Sequence, residues 1–181
     1  TANRPPEIAT DLPMQLHETP NGKELFFPQG NVLEVFQAST LEYKYSLKAA
    51  EVFHFEDYAY LGGDLWAFID RESIYTYKRE NGNFQLIASQ PHFAERHSKG
   101  YHLLPLKDGQ LLIGNSAETQ SLKFGISASG NLVSRELVSL AFRSNAQNQY
   151  VYNAAGDYIA SFSENRLYST LSFTVQESFE E

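Results

Sequence analysis

The chain has 181 residues, of which 42% are hydrophobic and 20% charged, and its formal net charge is −8. That length supports a buried core, and because there is no cysteine, disulfide-stapled mini-domains and cysteine-based zinc modules are excluded. An acidic chain without a Lys/Arg block repels phosphate backbones, so we expect no nucleic-acid partner.

The N-terminal segment, residues 1–24, is predicted to be a Pro-rich arm that leads into a single all-β domain over residues 25–181. The arm holds four of the seven prolines and shows little hydrophobic periodicity. The sequence contains neither a signal-peptide pattern nor an apolar run of the roughly 20 residues that a membrane helix requires. We expect a periplasmic or otherwise exported protein, with a lipid anchor upstream of Thr1 as one option and a cytoplasmic location as the alternative.

Four glycines, Gly30, Gly63, Gly109 and Gly156, each open a similar segment. The segments read GNVLEVF, GDLWAFI, GQLLIGN and GDYIASF, and the glycines are 33, 46 and 47 residues apart. A Gly with a short polar residue favours a tight turn, and the apolar run that follows has the length of a strand. The pattern predicts hairpins repeated along the chain.

Each repeat is predicted to contain a strand, the Gly turn, a second strand, a loop, a third strand, a turn and a fourth strand. The four repeats lie near residues 25–57, 58–100, 101–149 and 150–181. The third strands alternate apolar and polar residues, as in Leu41–Leu47 and Leu167–Phe173, which places one set of side chains on one face.

This organisation resembles a β-propeller, whose blades are four-stranded antiparallel sheets of about 40 to 50 residues. The resemblance is to the architecture and implies an all-β fold of blade-like repeats, a small or incomplete β-propeller. A β-sandwich or barrel is the alternative. Residues 134–143 have helical spacing of Leu137 and Leu140 and are predicted as a short helix or as the outer strand of the third repeat.

Three of the five histidines lie in one stretch, His92, His97 and His102, with Glu95 between them. Spacings of five residues make ligands diverge on a helix and alternate between faces on a strand. These four residues are therefore weak metal candidates, and we expect no metal and no cofactor. A solvated inter-strand loop is the simpler interpretation.

Acidic residues gather in the second repeat. They are Glu51, Glu56, Asp57, Asp64, Asp70 and Glu72. A carboxylate pair could hydrolyse a glycosidic bond, although Asp64 and Asp70 also suit turns. The sequence has no G-x-S-x-G nucleophile elbow and no nucleotide-binding glycine motif. We assign no catalytic residue and favour a non-enzymatic protein.

Aromatic pairs such as Phe53 and Phe55 recur two residues apart along the chain, which on a strand places both rings on one face. Tyr suits a recognition surface because it combines a large contact area with a hydroxyl that stays hydrated. The candidate partner-binding residues are Tyr58, Tyr60, Asp64, Trp66, Asp70, Tyr75 and Tyr77. The alternative is that these rings fill the space between sheets.

Charge, aromatics and missing catalytic motifs together suggest a non-enzymatic protein-binding module with a basic protein partner. At the level of class it resembles acidic inhibitors or immunity proteins that block a secreted toxin or a cell-wall hydrolase. The alternative function is an exported carbohydrate-binding or carbohydrate-active protein, with Trp66 and Tyr pairs stacking on sugar. A third hypothesis is an assembly scaffold tethered by the Pro-rich arm.

Overall fold

The computed structural model describes residues 12–92, 100–115, 120–138, 150–152, 158–161, 166–170, 173 and 175–178. The regular structure in these ranges consists of antiparallel β-strands in four four-stranded sheets, each a meander whose strand order follows the chain. None of the described segments forms an apolar helix of membrane-spanning length.

The sheets are numbered in chain order. The first contains β1 (Gln15–Thr19), β2 (Gly22–Gln29), β3 (Val32–Gln37) and β4 (Tyr43–Lys48), and the second contains β5 (Asp57–Gly62), β6 (Leu65–Ile69), β7 (Ser73–Glu80) and β8 (Asn83–Pro91). The third contains β9 (Tyr101–Leu106), β10 (Gln110–Asn115), β11 (Ser121–Ile126) and β12 (Leu132–Val138). The fourth contains β13 (Tyr150–Tyr152), β14 (Tyr158–Ser161), β15 (Arg166–Ser169) and β16 (Val175–Ser178).

Tight turns join the strands where the sequence places glycine and a short polar residue. Gly63 and Asp64, between β5 and β6, have φ angles of 56° and 66°. Glycine adopts this left-handed region without a Cβ clash, and Asp tolerates it better than most residues. The turn therefore follows directly from the local sequence.

Three hydrophobic clusters hold neighbouring sheets together. The first and second sheets share a core that includes Phe26, Leu33, Trp66 and Phe68. The second and third share Ala67, Ile69, Leu111 and Phe124, and the third and fourth share Leu112, Val138, Ile159 and Tyr168. Alternation along a strand explains how one element serves two cores, because β6 is buried on both faces.

The sheets stack like blades around a common side. Strand β5 lies beside β9, so the first strands of the second and third sheets are neighbours. The side chain of Gln15 on β1 donates a hydrogen bond from Nε2 to the carbonyl oxygen of Tyr58 on β5 (3.0 Å). The first strands of three consecutive sheets therefore line the same side of the molecule.

A buried ion cluster crosses the interface between the first and second sheets. Arg79 on β7 donates to Glu24 Oε2 (2.5 Å) and, through Nε, to Asp64 Oδ1 (2.8 Å). Glu24 also accepts hydrogen bonds from Lys44 Nζ (2.7 Å) and Thr19 Oγ1 (2.7 Å). Burial alone would raise the pKa of Glu24, but the hydrogen bonds from Lys44, Arg79 and Thr19 lower it below its ordinary value.

The prediction of an all-β fold with blade-like antiparallel sheets is confirmed, and the sandwich or barrel alternative does not describe this meander topology. Two details differ. Residues Gln15–Thr19 form β1 and Gly22 opens β2, so the part of the expected arm from Gln15 onward belongs to the first sheet. The Asn21-Gly22 turn makes this hairpin, with Asn21 N donating to Thr19 Oγ1.

The early hairpin changes the position of Gly30 in its sheet. Gly30 joins the second and third strands of the first sheet, whereas Gly63 and Gly109 join the first and second strands of theirs. Gly156 lies outside the described residues. Of the two predictions for residues 134–143, the outer strand of the third repeat is confirmed as far as Val138, because Leu132–Val138 is the strand β12, and the short helix is wrong there. Residues 139–143 lie outside the described residues.

Candidate functional site

Four of the six clustered carboxylates, Glu51, Glu56, Asp70 and Glu72, line one depression on the second sheet, which we call the acidic pocket, whereas Asp57 and Asp64 do not line it. It has a volume of about 510 Å³ and is lined by Glu51, Phe53, His54, Glu56, Asp70, Arg71, Glu72 and Tyr75. The link between β4 and β5 and the turn between β6 and β7 supply all of these residues except Tyr75, which lies on β7. The pocket therefore combines carboxylates, a guanidinium, an imidazole and aromatic rings.

The link between the first two sheets presents one aromatic ring to solvent. Val52 and Phe55 are buried, and Phe55 N donates to the carbonyl of Gly30 (3.0 Å). Between these two anchors Phe53 is 94% exposed. Because both ends of the short segment are fixed, Phe53 is held at the edge of the pocket, where an apolar ring gains by covering a ligand.

Asp70 shapes the turn that forms the opposite wall. Its Oδ1 accepts hydrogen bonds from the backbone N–H groups of Glu72 and Ser73, both at 2.9 Å. This is the turn chemistry that Asp commonly supplies. The geometry carries Arg71 and Glu72 outward on the turn, and both are exposed.

Two tyrosine hydroxyls connect the strand β7 to these acids. Tyr75 donates to Asp70 Oδ2 (3.0 Å), and Tyr77 donates to Glu51 Oε2 (3.0 Å). Burial, followed by the hydrogen bond to Asp70, raises the pKa of Tyr75 to about 12. Burial also raises the pKa of Tyr77. Both phenols are therefore neutral donors at physiological pH.

Two further acids hold the third sheet against the second. Glu56 Oε2 accepts from the backbone N–H groups of Gly100 (2.8 Å) and Tyr101 (3.1 Å), while Asp57 Oδ2 accepts from Leu103 N–H (2.8 Å). Arg71 also contacts Glu56, with Nε 3.3 Å from Oε1. Both carboxylates therefore have a structural role, which is to anchor the start of the third sheet next to the pocket.

The histidine stretch does not form a metal centre in the described structure. His92 is buried against the Tyr101 ring, with centroids 4.2 Å apart, and donates from Nε2 to the carbonyl of Asp70 (2.9 Å). Burial lowers its pKa. Nδ1 of His102 lies 3.6 Å from Oδ2 of Asp57. Glu95 and His97 lie outside the described residues. Within those residues, no three His, Asp or Glu side chains are grouped to hold a metal.

A second cleft of about 710 Å³ lies at the opposite ends of the strands β5 and β9. It is lined mainly by turn residues and apolar side chains, with Lys107, Asp108 and His17 as its ionisable groups. It is larger than the acidic pocket but brings fewer ligand-binding groups together. We therefore place the candidate site at the acidic pocket.

The predicted partner-binding residues separate into three environments. Tyr58, Trp66 and Tyr77 are buried in the core shared by the first and second sheets, so their rings cannot form a docking surface. Asp64 belongs to the ion cluster with Arg79, and Tyr60 packs against His17 and Trp66. Asp70 and Tyr75 alone line the acidic pocket. The alternative interpretation, that the rings fill the space between sheets, therefore holds for Tyr58, Trp66 and Tyr77.

Sequence reasoning missed Phe53, His54 and Arg71 as site residues. The spacing of Phe53 and Phe55 suggested two rings on one strand face, but these residues lie in a link where Phe53 is exposed and Phe55 is buried. The available signal was the short interval between the strands that end at Lys48 and begin at Asp57, which marks a connection between sheets.

Comparison with known proteins places the chain in the architectural class of β-propellers. No protein-family model and no curated protein sequence matches it. A Pseudomonas aeruginosa periplasmic gluconolactonase, PpgL, is similar in structure, with a TM-score of 0.62, 14% identity, and coverage of 91% of this chain and 52% of that one. A protein from Bacteroides fragilis, described as a putative 6-phosphogluconolactonase, is also similar in structure. Its TM-score is 0.60 at 13% identity, and the match covers 90% of this chain and 52% of that one.

A β-propeller domain of Cps50 (Swd1) from Myceliophteria thermophila gives a TM-score of 0.59 at 12% identity, with 92% of this chain and 54% of that one covered. At these identities the likeness concerns the fold. The chain spans about half the length of the solved structures it matches.

These comparisons contradict the hypothesis of an acidic inhibitor or immunity protein. Two of the similar structures are described as a gluconolactonase and a 6-phosphogluconolactonase, which are enzymes, and nothing supports an inhibitory role. The burial of Tyr58, Trp66 and Tyr77 removes the aromatic surface on which that hypothesis depended. A basic protein partner stays an untested prediction.

Proposed function

We propose that this protein binds a small polyhydroxylated molecule, a sugar or a sugar acid, in the acidic pocket. The observation that carries the proposal is the position of the exposed Phe53 beside carboxylates, Arg71 and His54 in one concave site. Apolar ring faces cover the C–H faces of sugars, and carboxylates accept hydrogen bonds from hydroxyls. The similarity in fold to two proteins described as lactonases of sugar acids is consistent with a ligand of this class.

The pocket offers both acceptors and donors to such a ligand. Glu51 and Glu72 are exposed acceptors, while Arg71 presents a planar set of N–H donors that suits a carboxylate. Asp70 and Tyr75 brace the wall through their mutual hydrogen bond. The fixed link and the fixed turn limit the entropy lost on binding.

Isothermal titration calorimetry with D-glucose, D-gluconate and spermidine tests the proposal. We expect saturable binding of glucose or gluconate, and replacement Phe53→Ala should weaken it about tenfold because the stacking contact is lost. The matched control is Val133→Ala, which removes an exposed apolar side chain from β12 on another sheet. Binding of spermidine alone, or equal affinities for wild type and Phe53→Ala, would contradict the proposal.

Hydrolysis of a sugar lactone is a second candidate function, favoured by the similarity in fold to two proteins described as lactonases. An exposed carboxylate such as Glu51 or Glu72 could take a proton from the attacking water, and Arg71 could stabilise the negative oxygen that develops on the lactone carbonyl. The water oxygen would bond to the lactone carbonyl carbon, the ring C–O bond would break, and the proton taken by the carboxylate would pass to the released ring oxygen. The single product would be the open-chain hydroxy acid.

A pH-stat assay on glucono-δ-lactone measures this reaction against the spontaneous rate. We expect acceleration that falls at least tenfold in Glu51→Gln or Glu72→Gln, with Glu42→Gln, an exposed acid of the first sheet, as the control. A wild-type rate equal to the spontaneous rate would eliminate hydrolysis while leaving the binding proposal to calorimetry.

We also propose that the protein is exported, because one of the similar structures is described as a periplasmic protein. Cell fractionation with an antibody against the chain would decide between periplasm and cytoplasm. Recovery in the cytoplasmic fraction would contradict export.

A further inference from the structure

His92, which directly follows β8, is hydrogen-bonded to the turn that carries two of the pocket-lining side chains. Its backbone N–H donates to the carbonyl of Glu72 (3.2 Å), and its ring Nε2 lies 2.9 Å from the carbonyl oxygen of Asp70. A carbonyl oxygen can only accept, so Nε2 carries the ring proton and donates. The two contacts lie on either side of Arg71, and His92 therefore fixes the backbone of the turn before and after that residue.

The third sheet holds His92 itself in position. The ring packs against that of Tyr101 on β9, with centroids 4.2 Å apart, and Arg135 on β12 donates from Nη2 to the His92 carbonyl. His92 is only 1% exposed, and burial lowers its pKa, so the imidazole is neutral at pH 7. The turn is therefore attached to a buried, uncharged ring that has little freedom to move.

The turn needs this attachment because its ligand-facing side chains are long and exposed. Arg71 and Glu72 both line the acidic pocket and both are exposed. The N–H groups of Glu72 and Ser73 donate to Asp70 and close the turn on itself, whereas His92 connects the turn to the body of the protein. A long side chain places its charged group only as precisely as the backbone beneath it is fixed.

We propose that His92 is a positioning residue of the acidic pocket, which directs Arg71 and Glu72 towards the bound sugar or sugar acid through the backbone of their turn. His92 is not among the residues that line the pocket, so it acts through the turn and not by contact with the ligand. This inference rests on the proposed function and adds to it a residue that the lining of the pocket does not reveal.

Calorimetry with whichever of D-glucose and D-gluconate binds the wild type more tightly tests the positioning role. His92→Phe keeps a ring against Tyr101 but removes the donor to Asp70, and we expect it to raise the dissociation constant about tenfold. His92→Gln supplies a neutral amide N–H with a reach similar to that of Nε2 and should recover most of the affinity. His92→Asn, whose amide is too short to reach Asp70, should behave like His92→Phe and replaces it in the test if His92→Phe does not fold.

Thr76→Val is the matched control. Thr76 on β7 is fully buried and donates from Oγ1 to the carbonyl of Gly130, in the turn between β11 and β12 (2.6 Å). Val has nearly the same shape, so the variant removes a buried hydrogen bond to a carbonyl between the same two sheets, away from the pocket. We expect its melting temperature to fall about as much as that of His92→Phe, with the sugar affinity unchanged.

A measurement without ligand reports the turn directly. In the wild type, the NMR order parameters of the Arg71 and Glu72 amides should be about 0.85, as for rigid backbone, and in His92→Phe they should fall towards roughly 0.6. They should recover in His92→Gln and stay at the wild-type value in Thr76→Val. A loss of overall stability alone does not loosen these two amides selectively.

The outcomes separate this inference from the proposed function. Equal affinities of wild type and His92→Phe, an equal loss of affinity in Thr76→Val, or no recovery in His92→Gln would overturn the positioning role and leave the proposed function standing. Unchanged order parameters of Arg71 and Glu72 in His92→Phe would overturn the positioning role as well. Absence of saturable binding of either sugar to the wild type would overturn the proposed function and this inference with it.

Discussion

At the scale of single residues, the contact between Arg79 and Glu24 shows how two sheets can be joined by charge. Neither side chain has appreciable contact with solvent. Each ion loses its hydration, and the structure compensates with direct hydrogen bonds from Arg79, Lys44 and Thr19 to Glu24. A buried ion whose partner is removed is costly, so this cluster should dominate the polar contribution to the interface.

We expect Arg79→Met to lower the free energy of unfolding by about 3 kcal/mol, because Glu24 stays buried with Lys44 as its remaining cation. Its neighbour Lys78 forms an exposed pair with Glu80, and Lys78→Met should cost much less than Arg79→Met, because solvent screens an exposed pair. Urea denaturation of both variants measures the difference. Equal losses would show that burial of the Arg79 pair has no energetic weight.

The same cluster predicts a pH dependence. Because the folded pKa of Glu24 is depressed, its stabilising contribution is complete above its ordinary value of 4.5 and is lost as pH falls towards the folded pKa. Glu24→Gln removes this contribution. The stability difference between wild type and Glu24→Gln should therefore shrink from pH 7 to pH 3 in denaturation experiments, whereas a constant difference would contradict the assignment.

At the scale of elements, the alternation of apolar side chains along each strand decides which sheets pack against each other. Leu111 on β10 is fully buried in the core shared by the second and third sheets, and its register partners are Pro105 and Phe124. The apolar run after Gly109 predicted a strand here. Its burial between two sheets makes the position sensitive to charge.

We expect Leu111→Asp to lower the free energy of unfolding by about 4 kcal/mol, because an unpaired carboxylate would be placed in the core. Val133→Asp introduces the same group at an exposed strand position and should change stability by less than about 0.5 kcal/mol. Thermal melting of the two variants compares them. A near-wild-type melting temperature for Leu111→Asp would contradict the packing.

At the scale of the whole molecule, the sheets differ in how many neighbours cover them. Among the described residues, the second and third sheets contribute to two shared cores, whereas the first and fourth contribute to one each. Local opening requires the loss of buried contacts, so the middle sheets should open least often.

Hydrogen exchange read by mass spectrometry tests this order. In the wild-type chain, amides of β6 should exchange at least tenfold more slowly than those of β3. Both are interior strands of their sheets, which makes them a matched pair. Equal protection would indicate that the arc opens as one unit.

The sequence by itself determined the all-β class, the hairpin turns and the blade-like repeats, because glycine turns and period-two alternation are local properties. It also identified the carboxylates around the acidic pocket as a group. It did not separate Phe53, which is exposed, from Phe55, which is buried, or reveal that Trp66 and Tyr58 belong to the core.

Only the tertiary structure decided those assignments, because the burial of an aromatic ring depends on which sheet packs against its strand face. The pairing of Arg79 with Glu24, 55 residues apart, depends on the same packing. Local pattern fixes strands and turns, whereas contacts between distant segments fix the core, the pocket and the exposed faces.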